Sequence, residues 1–166
     1  YRELVPELER CGHRFHTRSD TEVIVHAWEQ WGEDCVQRFR GMFAFALWDR
    51  NRDTLFLARD RLGVKPLFYA LLPDGTLLFG SELKVLMQHP GLNRRIDPSA
   101  VEEYFPFGYI AEPRNIFPAS RTLGAAATLH VRRGETPPSP HHYGDIRLAT
   151  ANAHSLARTA SVLATR

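Results

Sequence analysis

Cysteine and methionine are scarce, with two of each in 166 residues. Cys11 and Cys35 are too few for a disulfide framework, and neither belongs to a Cys-x-x-Cys pair of the kind that builds redox or metal sites. A reducing cytoplasm is therefore the expected compartment. No apolar run approaches the roughly 20 residues that cross a bilayer, and Tyr1-Arg2-Glu3-Leu4 has none of the features of a signal peptide. An excess of one charge sign is missing too. A net charge of +2 gives no electrostatic case for nucleic acid or a membrane surface, which leaves a small molecule or another protein as the expected partner. There is no methionine at position 1, and a helical pattern is under way within the first residues, so the chain is expected to begin inside a domain.

With 43% hydrophobic and 11% aromatic residues, the chain holds enough apolar material for one core. Leu4, Val5, Leu8 and Cys11 recur at helical spacing before Gly12, with Pro6 in the first turn, where its missing N–H costs little. Ser19 and Glu22 form a Ser-x-x-Glu capping box. Behind it, Ile24, Ala27, Trp28 and Trp31 make one apolar face that ends at Gly32. Cys35, Val36 and Phe39 predict one further turn. The period then changes to short runs that read as strands: Met42 to Trp48, Thr54 to Ala58, Leu67 to Leu72 and Thr76 to Phe79. Their short connections favour antiparallel neighbours. Met42 to Trp48 shows no polar alternation, which predicts burial of both its faces and hence a layer on each side of the sheet.

Ser81 to Met87 reads as a short helix. Asp97-Pro98 reads as an N-cap followed by proline at the first helical position, with Val101, Tyr104 and Phe105 expected on the buried side. Thr128 to Val131 is a candidate strand leading into an Arg132-Arg133-Gly134 turn. Residues 136–143, rich in proline and histidine, read as a linker, and residues 144–166 as a poorly packed tail.

Each candidate for chemistry has a structural counterpart. Cys11 and Cys35 fall on apolar helical faces without a neighbouring base, which suits small core residues better than nucleophiles. The histidines show no His-x-x-x-His spacing, and His141-His142 lies in the proline-rich stretch, so no metal site is expected. Asp20 sits in the first turn of the second helix, where a carboxylate either complements the helix dipole or reaches out to a ligand's ammonium group. Arg59 to Pro66 carries three cations and a glycine, yet lacks a Gly-x-x-x-x-Gly-Lys pattern and opens no helix. A rigid, salt-bridged turn is the better reading than a phosphate site.

Four stretches together resemble the glutaminase domain of asparagine synthetases, the class II or N-terminal-nucleophile glutamine amidotransferases. They are Ser19 to Ile24, Arg40 to Asp49, Ala58 to Tyr69 and Gly80 to Lys84, and the likeness runs from Tyr1 to about Phe117. A narrower likeness is to bacterial amidotransferases of exopolysaccharide and exosortase loci. The resemblance implies an α+β fold, an αββα sandwich of antiparallel sheets of the N-terminal-nucleophile hydrolase type, present here in part. It divides the chain into a partial amidotransferase domain (1–117), a divergent strand and linker (118–143) and the tail (144–166).

The activity implied is release of ammonia from glutamine by an N-terminal cysteine, for ATP-dependent amide formation in a separate synthetase domain. The family's leading Met-Cys-Gly, Arg-His-Arg-Gly-Pro-Asp and Asn-Gly-Glu-Ile-Tyr-Asn words do not occur in the chain. No catalytic residue is therefore expected here, and the fragment is predicted to be inactive alone. Of the family's glutamine contacts only Asp20 carries over, resembling the aspartate that holds the substrate's α-ammonium group. No cofactor is implied for this domain; ATP and magnesium are implied for the synthetase domain, which together with glutamine completes the expected partners. An uncovered sheet edge keeps a homodimer open. The reading from a different class is a non-catalytic interaction or ligand-sensing domain with the same fold.

Overall fold

The computed structural model describes residues 1–135 and 138–144. The opening helix α1 (Leu4–Arg10) runs into a loop, and α2 (Asp20–Trp31) follows. Gly32, in the left-handed region at φ 58°, ends α2 and starts a 3₁₀ turn, Gly32–Asp34, which leads into α3 (Cys35–Arg38). Four strands come next: β1 (Ala44–Asp49), β2 (Thr54–Arg59), β3 (Phe68–Leu71) and β4 (Leu77–Gly80). Two helices, α4 (Leu83–Leu86) and α5 (Pro98–Phe107), precede β5 (Arg121–Thr122), β6 (Ala127–Arg132) and β7 (His141–His142). Among the described residues no helix is long and apolar enough to cross a membrane.

The strands form two antiparallel sheets rather than one meander. One has the order β1-β2-β6-β7, the other β4-β3-β5. Short connections do join antiparallel neighbours at β1–β2 and β3–β4, but the segment between β2 and β3 carries the chain from one sheet to the other. The stretch expected to be a linker supplies β7, which pairs with β6 (Ala127 opposite His142), and Tyr143, which is buried. Alternation along β6 was too weak to reveal its interior place in the sheet, and two-residue strands such as β5 and β7 leave no period at all. Residues 145–166, most of the predicted tail, lie outside the described residues.

Three apolar clusters correspond to three layer contacts. Phe56 and Ala58 of β2 join Leu8, Val23, Ala27, Trp28, Cys35, Val36 and Phe39, with Phe43, Phe45 and Leu47 packed alongside, so α1 to α3 cover one face of the larger sheet. Leu57 of β2 points the other way, with Leu129 and Ala127 of β6, Leu67 and Leu123, and Tyr69 of β3 packs against this group between the sheets. Ala70, Leu72, Leu86 and Leu92, with Phe68 and Leu78, seat α4 on the smaller sheet. Alternate side chains of β2 thus enter two different cores.

The strand buried on both faces is β2, not β1 as expected. β1 lies at the edge of its sheet among the described residues, so Ala46 and Trp48 are exposed and Met42, just before it, is 63% exposed. Absence of polar alternation marked an apolar strand correctly but could not say which strand had neighbours on both sides. Helix α5 also differs from expectation. Asp97 caps it by accepting from Ser99 N–H, and Ala100 is buried, but Tyr104 and Phe105 are exposed because the helix rests on the body only by its first turn.

Leu57 is fully buried between the sheets. Leu57→Ala is expected to cost about 2–5 kcal/mol in denaturant unfolding. Trp48→Ala, at a half-exposed edge position, is expected to cost less than about 1 kcal/mol in the same measurement.

Candidate functional site

The N-terminus of α2 is built by side chains that fasten the preceding loop. Ser19 is its N-cap and accepts from Thr21 N–H at 3.1 Å, while Ser19 N–H donates to Thr17 Oγ1 at 3.2 Å. Glu22 does not reach back to Ser19 as a capping box requires. Its carboxylate accepts instead from the backbone N–H groups of His16 and Thr17, each at 2.7 Å, and from the Thr17 hydroxyl. The His16 N–H and then the Thr17 hydroxyl hold the Glu22 carboxyl down at about 2. The Ser-x-x-Glu spacing located the helix start, and the glutamate closes a wider loop than the motif implies.

Asp20, the first residue of α2, lines a cleft of about 160 Å³ together with Tyr1, Leu4, Val23 and Ile24 on the helix side and Phe39, Arg40, Met42 and Phe43 opposite. Both Asp20 and Arg40 are exposed and neither side chain makes a hydrogen bond or ion pair among the described residues. The cleft therefore offers one uncommitted carboxylate and one uncommitted guanidinium above an apolar floor. Arg40 was passed over in the sequence because it lies just before the run read as a strand, with no motif around it that marks a ligand contact, and nothing local reveals that α3 turns it toward the start of α2.

The Arg59 to Pro66 segment is a structural turn and does not fit a phosphate. Asp60, 1% exposed, accepts four backbone N–H groups: Phe43 at 3.2 Å, Leu62 at 3.1 Å, Val64 at 3.0 Å and Lys65 at 3.0 Å. Burial works to raise its carboxyl, and the N–H groups of Lys65, Val64, Phe43 and Leu62 outweigh it and hold the group below the usual range. The amides that would cradle a phosphate are thus already committed. Arg59 is equally occupied, donating to the carbonyls of Lys65 (2.7 Å), Gly63 (2.6 Å) and Leu123 (2.6 Å) and to both oxygens of Glu112 at 2.9 Å. Gly63 has φ 63°, and a Cβ there would meet the Arg59 guanidinium and Ala125 at 3.1 Å, so only glycine fits.

The cysteines separate. Cys35 is fully buried, and burial pushes its thiol up to about 12. Cys11 is exposed, at the C-cap of α1 rather than on the expected apolar face, because the helix ends one residue earlier. Neither lines the Asp20 cleft. The histidines also depart from the spacing argument: His13, in the loop, meets His26 and Glu29 of α2, with ligand atoms within 4.8 Å of one another. Sequence separation hid this group, since the loop folds His13 back across the helix. His141 and His142 are exposed on β7.

With two antiparallel sheets, a helical cover and a charged cleft in place, sequence comparison supplies the family. A model of the glutamine amidotransferase domain matches residues 1–143, and the chain belongs to that family. Its relatives include asparagine synthetase [glutamine-hydrolyzing] 3 of Bacillus subtilis, 39% identical over 93% of this chain and 26% of that protein. A putative asparagine synthetase [glutamine-hydrolyzing] of Mycobacterium tuberculosis is 37% identical over 91% of this chain and 24% of that protein. One of Methanocaldococcus jannaschii is 40% identical over 68% of this chain and 22% of that protein. The chain spans about a quarter of the length of these relatives.

A carboxyl that ionises at lower pH when folded contributes stability that is complete above its unfolded value, near 4, and is lost as pH falls through the folded value. Asp60→Asn removes that contribution and turns one acceptor into a donor facing amide donors. It is expected to lower stability at neutral pH by on the order of 3 kcal/mol. Denaturant unfolding repeated from neutral to acid pH is expected to show a shallower acid limb for the variant.

Proposed function

We propose that the chain forms the glutamine-binding part of an amidotransferase that supplies ammonia to an asparagine synthetase-like partner domain, in a sandwich of the N-terminal-nucleophile hydrolase type. The observation that carries this reading is the cleft with uncommitted Asp20 and Arg40. Free glutamine is a zwitterion at its backbone end. Asp20 receives the α-ammonium group, Arg40 faces the α-carboxylate, and the apolar wall from Phe39, Phe43 and Val23 lies along the side chain. Charge-assisted hydrogen bonds of this kind contribute roughly 1.5–3 kcal/mol each, enough to select an amino acid over an amide of the same size.

Glutamine hydrolysis needs a nucleophile to attack the side-chain amide carbon and a base to activate it. In the proposed reading neither Cys11 nor Cys35 has that role. Cys35 is closed off and held as a thiol, and Cys11 has no hydrogen-bonded base among the described residues. The nucleophile belongs to a residue other than these two, and the ATP and magnesium chemistry to the synthetase domain, which also selects the acceptor. The commitment of the Asp60 amides and of the Arg59 guanidinium argues against a nucleotide phosphate in the one segment whose composition invites it. A cytoplasmic setting fits a chain with only two, unpaired cysteines.

Two measurements test the reading. L-Glutamine is expected to bind the chain by calorimetry or amide chemical-shift titration, Asp20→Asn to weaken it by about ten-fold or more, and N-acetylglutamine, which has no ammonium, to fail as a competitor. Equal binding of glutamine and N-acetylglutamine, or an unchanged affinity in Asp20→Asn, would remove Asp20 from the site. The chain alone is expected to release no ammonia from glutamine above buffer. Ammonia release that disappears in Cys11→Ala or Cys35→Ala would overturn the assignment of the nucleophile elsewhere.

A further inference from the structure

The loop between α1 and α2 is fastened from one side by Glu22, and from the other by a group of three side chains that the glutamine cleft does not use. His13 Nδ1 lies 3.2 Å from His26 Nδ1, His26 Nδ1 lies 2.8 Å from Glu29 Oε2, and His13 Nδ1 lies 3.5 Å from the same oxygen. For a tetrahedral centre with bonds of about 2.0–2.1 Å to nitrogen and oxygen, neighbouring ligand atoms stand roughly 3.3 Å apart. The three separations bracket that value, and a triangle this small leaves one point within bonding reach of all three atoms.

The outer nitrogens agree with such an arrangement. His13 Nε2 is 3.0 Å from Gln30 Oε1, so the ring donates there and its Nδ1 is left with a lone pair. Among the described residues His26 Nε2 is buried without a hydrogen bond, and the Glu22 carboxylate lies 3.7 Å from it. Placing the His26 proton on Nδ1 turns an Nε2 lone pair toward that carboxylate. Placing it on Nε2 turns a favourable N–H toward Glu22 and leaves two imidazole lone pairs and a carboxylate oxygen crowded within 3.5 Å of one another. Three acceptor atoms crowded this closely are unfavourable without a cation between them and are a ligand set with one. Both imidazoles are largely covered, with 15% and 17% of the His13 and His26 side chains exposed, and the Phe15 ring packs edge-on against His26. Glu29 is half exposed, which opens the fourth position to water.

We propose that His13, His26 and Glu29 bind a single divalent cation of the zinc class, which clamps the loop between α1 and α2 onto α2. Two imidazoles and one carboxylate are nitrogen-rich, borderline ligands that favour zinc and its first-row neighbours over magnesium or calcium. Because the loop runs directly into Ser19 and Asp20, a metal here steadies the start of the helix that carries Asp20 without touching the cleft.

The test is calorimetric titration of metal-stripped chain with zinc chloride, alongside Glu29→Gln, His13→Gln and, as a control, the His141→Ala/His142→Ala variant. One equivalent is expected to bind, and each of Glu29→Gln and His13→Gln to weaken it by at least about ten-fold. The His141/His142 control is expected to retain full affinity. Cobalt(II) in place of zinc is expected to give the visible absorption of a tetrahedral site, lost in Glu29→Gln. Glu29 is exposed on α2, so that variant keeps its fold, which far-ultraviolet circular dichroism checks. An imidazolium at His26 held between Glu22 and Glu29 binds no metal. Absence of zinc binding, or zinc binding that survives both ligand variants, overturns the proposal, and loss in the His141/His142 variant would place the zinc there instead.

Discussion

A buried carboxylate with four amide donors sits where everything else in this chain meets. Asp60 begins the crossover from β2 in one sheet to β3 in the other, and a crossover between two packed sheets must bury backbone groups that no strand partner satisfies. Asp60 takes the donors of that segment and Arg59 takes its acceptors, so two adjacent residues of opposite charge together close the hydrogen bonding of a non-repetitive loop. Their backbone serves the neighbours as well. Asp60 N–H donates to Phe43, its carbonyl accepts from Ala126 N–H, and the Arg59 carbonyl accepts from the Tyr143 hydroxyl.

Through those contacts the crossover reaches the candidate site. Phe43 and Phe39 form one wall of the Asp20 cleft, and both are anchored to the same segment: Phe43 by Asp60, Phe39 through its carbonyl, which accepts from Arg61 at 2.7 Å. Arg40, between them in sequence, is thereby held on a short bridge with fixed ends. The other wall is α2, pinned to the larger sheet where Trp28 Nε1–H donates to Asp49 at 2.9 Å and the indole packs on Phe56. The glutamine-binding reading thus rests on two rigid walls presenting opposite charges, with neither charge consumed by a partner among the described residues. That is the difference between Asp20 and Asp60, and between Arg40 and Arg59.

Local signals were legible wherever structure is decided locally. Ser19 and Asp97 marked helix starts, Gly32 a stop, and the four runs between Met42 and Phe79 fell on strands within two residues. Partnership was not legible, because it is decided by residues far along the chain. Nothing in Thr54 to Ala58 announces that β6, more than 60 residues later, will lie beside it, so burial on both faces was assigned to β1 instead. The same reason hid His13 from His26, Arg40 from Asp20 and Tyr143 from the Arg59 carbonyl. For Arg59 to Pro66 the composition invited a phosphate and the missing Gly-x-x-x-x-Gly-Lys pattern argued against one, but only the geometry shows that the turn is a hydrogen-bonding hub and not merely a stiff connector. The family wording carried the function, since a single carboxylate at a helix start does not distinguish a ligand contact from a dipole partner.

Native-state amide hydrogen exchange at Leu62, Val64 and Lys65 tests the organising role of Asp60 most directly. Leu62 is 68% exposed and lies in a loop, where amides ordinarily exchange rapidly. If the crossover is fixed by the buried carboxylate, these three amides exchange only by near-global opening, with protection close to that of the β2 amides at Phe56 and Leu57. Exchange at the rate of an open loop, while β2 stays protected, would contradict it and would leave the sheets held together by apolar packing alone.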